Sequence, residues 1–283
     1  MISVQAAISR FRRDLTIGAL VRSGLLAGAV ACIMFDLVTG TGYGGAMMLL
    51  GIGAIWMVLG YRSVQGSRLS ADSPLLIATG RFEEAENRID AALRSFSLFK
   101  PAKLMSLHHL AMLRHAQRRW QESAQLCRAL QRQRMGTLRG LSKPSTLLLA
   151  DDLMHLRDLP GVYEALSRLH RQRLNLGEAL TMLQIQTEYL ASIGAFEPML
   201  SEAGTKVQLA ELMPAGAAAR TQAFMALAAI KTGRTVLASW LRRRVELLCD
   251  ANALAAERPL LAELWPALSA PNGPADNIMH GTH

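Results

Sequence analysis

The chain has 283 residues, of which 51% are hydrophobic and only 5% aromatic, and its formal net charge is +9. This hydrophobic share is unusual for a soluble domain and indicates membrane segments. The three cysteines, Cys32, Cys127 and Cys249, are too widely spaced for a disulfide framework or a zinc motif, which favours a reducing compartment.

The N-terminal segment, residues 1–22, has an amphipathic pattern. Ile8, Phe11, Leu15 and Leu20 fall near one side of a helix. Arginines lie among these apolar positions, as in helices that bind at a membrane interface. We therefore predict that this segment lies along the membrane surface before the chain enters the bilayer.

Residues 23–61 contain two predicted transmembrane helices. The first stretch, "SGLLAGAVACIMFDLVTG" (residues 23–40), has Asp36 as its only charge, and the second, "YGGAMMLLGIGAIWMVLGY" (residues 43–61), has none. Each is long enough to cross a bilayer core of roughly 30 Å. Since only two residues separate them, they are predicted to form a helical hairpin. The match of "GTGYGG" (residues 40–45) to GxGxxG is assigned to the hairpin turn, because no βαβ unit surrounds it.

The charges that flank the hairpin predict its orientation. Arginines precede the first span and follow the second, whereas the turn has neither lysine nor arginine. The positive-inside rule then places both the N- and C-termini in the cytoplasm of a bacterial cell, with a multi-pass inner-membrane protein as the result. A lipoprotein site at Cys32 in "GAVAC" is the alternative, which the continuing hydrophobic run disfavours.

Small residues form ridges in both predicted spans. Their predicted role is close helix packing, because small side chains let helix backbones approach. Two uses remain open, packing of the hairpin on itself and docking with other membrane subunits. The residues predicted for this role are Gly24, Gly28, Cys32, Gly45, Gly51 and Gly53.

After a predicted linker at residues 62–69, residues 70–268 show helical periodicity with recurrent breaks. The breaks fall at Gly80, Arg118, Pro160-Gly161, Gly194 and Gly233. Similar phrases follow them, and the equivalent residues Phe82, Trp120, Val162, Phe196 and Thr235 are 38, 42, 34 and 39 residues apart. Such periods predict a solenoid of about five helix pairs. The tail, residues 269–283, is predicted to be disordered.

Residues 80–92, "GRFEEAENRIDAA", resemble the second helix of a tetratricopeptide repeat. Gly80 ends the first helix, Phe82 follows the turn, and Ala85, Ile89 and Ala92 face inward. A second copy resembles the family through Trp120, preceded by Leu107, Leu110 and Ala111. The resemblance implies an all-α protein with a right-handed α-solenoid, whose first helices line a concave groove that binds partners.

If this chain has the same groove, the residues that line it would form a basic partner-binding surface. Residues 62–140 contain 14 Lys and Arg against 6 Asp and Glu. An acidic protein subunit or anionic lipid headgroups would complement this charge, whereas nucleic acid is not expected with so few aromatic residues. The residues predicted for partner binding are His108, Met112, Arg114, His115, Arg118 and Arg119.

Signals for chemistry are weak. Met105, His108, Met112 and His115 follow one side of a helix and contain soft ligands suited to copper(I), although packing on a neighbouring helix explains the same pattern. The sequence lacks HExxH, GxSxG and P-loop motifs. We therefore predict no catalytic residues, no metal site and no cofactor.

Together these patterns predict a membrane-anchored scaffold or assembly factor without catalytic activity. Its expected partners are membrane subunits and proteins at the cytoplasmic face. An accessory structural subunit of a large membrane complex is the alternative. A metal-handling protein that uses the Met/His stripe is a further one.

Overall fold

In the computed structural model of the chain, residues 3–40, 43–95, 97, 100–133 and 139–265 are described. All regular elements among these residues are helices, which confirms the predicted all-α class for this part of the chain. The chain divides into two compact units, residues 1–165 and residues 166–283. The predicted tail and the two residues of the predicted hairpin turn lie outside the described residues.

Two N-terminal helices are long and apolar enough to cross a membrane. Helix α1 spans Val4–Thr39, and helix α2 spans Tyr43–Leu69. Ser3 caps α1, because its hydroxyl oxygen accepts a hydrogen bond from the Ala6 amide at 3.2 Å. At the other end Gly40 adopts φ 63°, a conformation in which glycine is favoured.

The N-terminal segment is the first part of α1 and packs on protein. Val4, Ala7 and Phe11 are at most 5% exposed in a unit that also contains the first helix pairs. The Asp14 carboxylate lies 2.8 Å from the Lys103 ammonium, which also donates to the carbonyl of Leu93 at 2.6 Å. The segment was predicted to lie along a membrane surface, but its apolar side packs against neighbouring helices. The sequence could not distinguish the two, because an apolar stripe suits either surroundings.

The predicted linker at residues 62–69 is helical. It forms the last two turns of α2, and helix α3 (Ser73–Ala78) begins four residues later with Pro74 in its first turn. Ser95 and Ser97, which follow the helix at Phe82–Arg94, contact the first two helices. Ser95 lies against Gly66 of α2, and the Ser97 carbonyl lies against Gly18 of α1. The hairpin and the first helix pairs are thus joined without a flexible segment.

The remaining helices follow in close succession. In unit 1 they pack beside α1 and α2, and in unit 2 they surround α12, whose residues from Ala218 to Ala229 are all buried except Arg220. Their bounds are α4 (Phe82–Arg94), α5 (Lys100–Ala116), α6 (Trp120–Gln131), α7 (Arg139–His155), α8 (Leu159–His170), α9 (Leu176–Ser192), α10 (Phe196–Leu200), α11 (Ala203–Glu211), α12 (Ala215–Lys231), α13 (Thr235–Leu248), α14 (Ala251–Glu257) and a 3-10 helix (Pro259–Leu264).

Five turns between helices share one backbone conformation. Each has a residue with positive φ, and these residues are 38, 39, 37 and 39 positions apart. In each turn the following amide donates to the carbonyl five positions earlier, at 2.8 to 2.9 Å. This is the hydrogen bond of a Schellman motif. The five residues are Gly80, Arg118, Arg157, Gly194 and Gly233.

The third turn differs from its predicted position. It lies at Arg157, not at Pro160-Gly161, and Leu159 is therefore the residue equivalent to Phe82, not Val162. Val162 instead corresponds to Ala85, and both are fully buried. The turn was misplaced because Pro160-Gly161 gives a turn signal three residues later, whereas Arg157 adopts the left-handed conformation without the usual glycine. With this correction the helix pairs recur at nearly constant intervals.

Candidate interaction surface

Arginines cluster at three successive turns of unit 1. Arg118 is exposed, and the neighbouring Arg119 is paired with Glu122. Arg81 and Arg157 occupy the turns on either side and are also exposed, and Arg81 is paired with Glu84. We call these four residues the basic turn edge. The sequence prediction included Arg118 and Arg119 but missed Arg81 and Arg157, which a constant repeat interval would have revealed.

The first two turns of the basic turn edge lie beside the start of α1. A groove in unit 1 is lined by Ser3 and Ala6 of α1 together with Phe82 and Gln117, which flank the first two turns. Ser3 precedes Arg22, the last arginine before the apolar stretch, by 19 residues. Arg10, which lines the same groove, precedes Arg22 by 12 residues. At 1.5 Å per residue, the groove therefore lies about 18–28 Å along α1 from Arg22. The edge is therefore far from the apolar part of the hairpin.

Arg114 is fully buried, which corrects its predicted place on an accessible basic face. Its guanidinium forms a bidentate ion pair with Glu86, at 2.9 and 3.2 Å. It also lies 3.3 Å from Glu122 and donates to the Gln117 side chain at 2.7 Å. Buried charges require such partners. The residues at the equivalent position before the other turns are Leu76, Leu153, Leu190 and Ala229.

His108 is also buried, so it does not face an accessible groove as predicted. One ring nitrogen lies 3.2 Å from the Ser145 hydroxyl of α7. Burial, with a smaller effect from neighbouring His109, lowers the pKa of His108 to about 4. His108 is therefore neutral at pH 7 and contributes to packing between α5 and α7.

His115 belongs to a polar and aromatic cluster that links three helices. Its Nδ1 lies 2.8 Å from Asp152 and its Nε2 lies 3.4 Å from Asp151, both on α7. Burial raises the pKa of Asp152, and its hydrogen bonds with His115 and Ser123 partly offset that effect. Beside them Trp120 stacks on His155, with ring centroids 3.8 Å apart.

The Met/His stripe does not form a converging ligand set. Its two histidines turn toward separate partners on α7, Ser145 and Asp152, while Met112 is half-buried and Met105 is 36% exposed. Within the described part of the chain, no group of three or more His, Cys, Asp and Glu side chains is placed to hold a metal ion. The stripe is explained by the packing of α5 on α7.

The predicted glycine ridges divide into two groups. Gly28 faces Ile52 across the hairpin at 3.6 Å from a Cβ position, Cys32 is 8% exposed, and Gly45 lies against Asp36. These three residues pack the hairpin on itself. By contrast, Gly24, Gly51 and Gly53 have open space where a Cβ atom would be. Their surfaces are available to other helices.

In comparisons with known proteins, no family model, no curated protein and no solved structure matches the chain. The likeness to tetratricopeptide repeats therefore depends on residues of the chain itself. Its turns recur every 37 to 39 residues, against 34 in that family.

Proposed function

We propose that this chain is a membrane-anchored scaffold or assembly factor, whose helix pairs bind other proteins and catalyse no reaction. The hairpin spans the inner membrane of a bacterial cell, and both termini face the cytoplasm. The arginines on either side of the hairpin support this orientation. The helix pairs stack as a right-handed solenoid similar to tetratricopeptide repeats, an arrangement supported by the five equivalent turns.

The observation that carries this proposal is the continuous connection between the hairpin and the helix pairs. Helix α2 runs through Leu69 without a break, and the first turns of α1 are buried among the same helices. The Asp14–Lys103 ion pair, with Lys103 only 2% exposed, fixes this contact. A protein built in this way holds its surface at a constant height and angle over the bilayer, as a platform for assembly requires.

The partner of the basic turn edge is an acidic surface of a protein. Arg81, Arg118 and Arg157 project from three neighbouring turns and supply the complementary charge. Lipid headgroups at the level of Arg22 are too distant, because exposed charges more than about 10 Å apart are screened at 0.1 M salt and the groove beside the edge lies about 18–28 Å along α1 from Arg22. We assign anionic lipid headgroups to the arginines near the hairpin, Arg22, Arg62 and Arg68.

A second candidate function is that of a permanent subunit in a larger membrane complex. The open surfaces at Gly24, Gly51 and Gly53 favour it. Helices of other subunits can approach closely at such positions. In this case the hairpin would contribute to binding together with the basic turn edge.

Two sets of substitutions in the full-length protein test the proposal. In the first set, Arg81, Arg118 and Arg157 are changed to glutamate. In the second, Arg22, Arg62 and Arg68 are changed to glutamine. Each variant is purified in mild detergent, and the proteins that co-purify are identified and quantified over a salt series. Circular dichroism checks that helicity is unchanged.

We expect the first set to lose its partners at least tenfold and the second set to keep them. Binding of vesicles that contain anionic lipid should show the reverse dependence. Partners retained by the first set at high salt would contradict the role of the basic turn edge. In that case, a variant with leucine in place of Gly24, Gly51 and Gly53 should be tested. Loss of the co-purifying partners from this variant would favour the role of a permanent subunit.

A further inference from the structure

Helix α13 presents a hydrophobic stripe to solvent. Val236, Trp240, Arg243 and Leu247 are spaced by four, three and four residues, so they lie on one side of the helix. The opposite side contains Ala238, Leu241 and Val245, which are at most 5% exposed in the core of unit 2. We call the four exposed residues the α13 stripe.

Its aliphatic residues are unusually exposed. Val236 is 82% exposed and Leu247 is 87% exposed, the two highest values among the described large hydrophobic side chains outside the hairpin. Within the apolar hairpin, Val38 reaches 85%. The stripe therefore leaves apolar surface in water to the same degree as helices built for lipid. Three exposed large apolar side chains on one side of a helix, Val236, Trp240 and Leu247, are typical of a contact site.

The stripe is confined to the last helix pair. The equivalent positions lie three, seven, ten and fourteen residues after each positive-φ residue. In the first three pairs these positions hold no large hydrophobic residue, so the stripe is not a by-product of the repeat. They are occupied by Glu83, Asn87, Asp90 and Arg94, then by Gln121, Gln125, Arg128 and Arg132, and then by Pro160, Glu164, Ser167 and Arg171.

We propose that two copies of this chain associate through their α13 stripes, with the two helices antiparallel. A two-fold axis between residues 241 and 242 brings Val236 opposite Leu247 of the second copy, and Trp240 opposite its Arg243. Both pairings are favourable, the first by apolar burial and the second by a cation–π interaction. The stripe is thus complementary to itself, as a two-fold interface requires.

The indole of Trp240 is prepared for this contact. Arg244 lies over the ring, with its guanidinium carbon 4.9 Å from the centroid. Arg244 is itself held by Glu211 at 2.6 Å. One side of the indole is therefore occupied within the chain. Trp240 is still 45% exposed, so part of the ring is accessible to an arginine from a second copy.

Charge favours a second copy over an anionic bilayer. Arg234 pairs with Glu197 at 2.9 Å and Arg242 pairs with Glu246 at 3.0 Å, so the positive charge around the stripe is largely balanced. An interfacial helix that binds anionic lipid has a surplus of positive charge on its polar side. The stripe is small for a protein interface, but anchoring in one membrane raises the effective concentration of the copies.

Disulfide formation between two differently tagged full-length variants tests the arrangement. One carries Val236→Cys and the other Leu247→Cys, both with Cys249→Ser to remove the nearby half-buried thiol. They are reconstituted together in vesicles and oxidised with diamide. We expect a cross-linked product between the two variants when they are mixed, and little within either variant alone. In the antiparallel pair, identical residues at these positions are about 16 Å apart along the helices.

Trp240→Gln provides the matched test of the central contact. Glutamine stands at the equivalent position in α6, so helicity should persist, and the mixed product should fall about tenfold. Tyr163→Gln, at another exposed aromatic residue, should leave the yield unchanged. A yield unaffected by Trp240→Gln, or stronger cross-linking within one variant, would overturn the proposal. The absence of the mixed product would also overturn the proposal. This includes the case in which anionic vesicles alone, without a second copy, protect both cysteines from a water-soluble maleimide.

Discussion

Arg114 and Glu86 form a bidentate ion pair in the interior of unit 1, at 2.9 and 3.2 Å, although 28 residues separate them in the chain. Arg114 is fully buried and occupies a position where the other helix pairs have leucine or alanine. The pair joins α4 to the end of α5, next to the second turn. It explains why an arginine in a basic segment is unavailable to partners.

Removal of Glu86 alone should destabilise the protein strongly. Glu86→Ala leaves the Arg114 charge buried without its main partner, at a cost of about 3–5 kcal/mol. The double variant Glu86→Ala with Arg114→Leu matches residues found at equivalent positions of other helix pairs, Ala124 and Leu153. We expect it to be more stable than Glu86→Ala. Thermal unfolding of the full-length variants in detergent measures this order, and the reverse order would show that the charge is not the cause.

Acid should destabilise the protein through His108. Its pKa in the folded chain is about 4, below the ordinary value of 6.5. As pH falls below 6.5 the unfolded chain therefore binds the proton first, and stability decreases until pH 4. The difference corresponds to about 3 kcal/mol. His109, whose pKa is lowered mainly by burial, contributes in the same direction.

His108→Asn should flatten this dependence. Thermal midpoints recorded from pH 7 to pH 4 should fall less steeply for the variant than for the wild type. The exposed His170→Asn serves as the control and should follow the wild-type curve. Parallel curves for all three proteins would contradict the assignment to His108.

Two glycines of α2 should differ in their tolerance of a methyl group. A Cβ at Gly45 would lie 2.8 Å from both Cβ and Cγ of Asp36, so Gly45→Ala should force the hairpin helices apart. A Cβ at Gly51 would lie in open space, so Gly51→Ala should be neutral or slightly stabilising. Cross-linking of cysteines placed on both helices reports their separation. Equal effects of the two variants would show that Asp36 moves aside freely.

The second turn should gain stability from glycine. Arg118 has φ 60°, a conformation that costs an L-residue about 1–2 kcal/mol, part of which is offset by the greater freedom of glycine in the unfolded chain. We expect Arg118→Gly to stabilise the protein by about 0.5–1 kcal/mol. Gly80→Ala at the first turn, where φ is 75°, should destabilise it by about 1 kcal/mol. Calorimetry in detergent measures whether each variant raises or lowers the stability of the protein.

The features predicted correctly have local signals in the sequence. The two apolar helices follow from length and composition, and the turns at Gly80, Gly194 and Gly233 follow from glycine. The turn at Arg157 was misplaced because Pro160-Gly161 gives a turn signal three residues later, and because no aromatic residue follows Arg157 as Trp120 follows Arg118. The burial of Arg114 depends on Glu86, a distant residue that no local pattern indicates.

The first turns of α1 illustrate a second limit of the sequence. Phe11 lies on an apolar stripe that suits either a membrane surface or a protein interior. The contacts of Asp14 with Lys103 decide between them, and these residues are far apart in the chain. The exposure of Val236 and Leu247 likewise depends on which side of α13 packs on the core of unit 2, and residues far from α13 in the chain determine that.

The short connection between α2 and the helix pairs has a mechanical consequence. Because Ser95 lies against Gly66 of α2 and Ser97 lies against Gly18 of α1, a tilt of these two helices rotates the attached helix pairs with them. If the proposed hairpin tilted by about 20° in a bilayer, as transmembrane helices commonly do, the first two turns, about 18–28 Å along α1 from Arg22, would move sideways by about 6–10 Å.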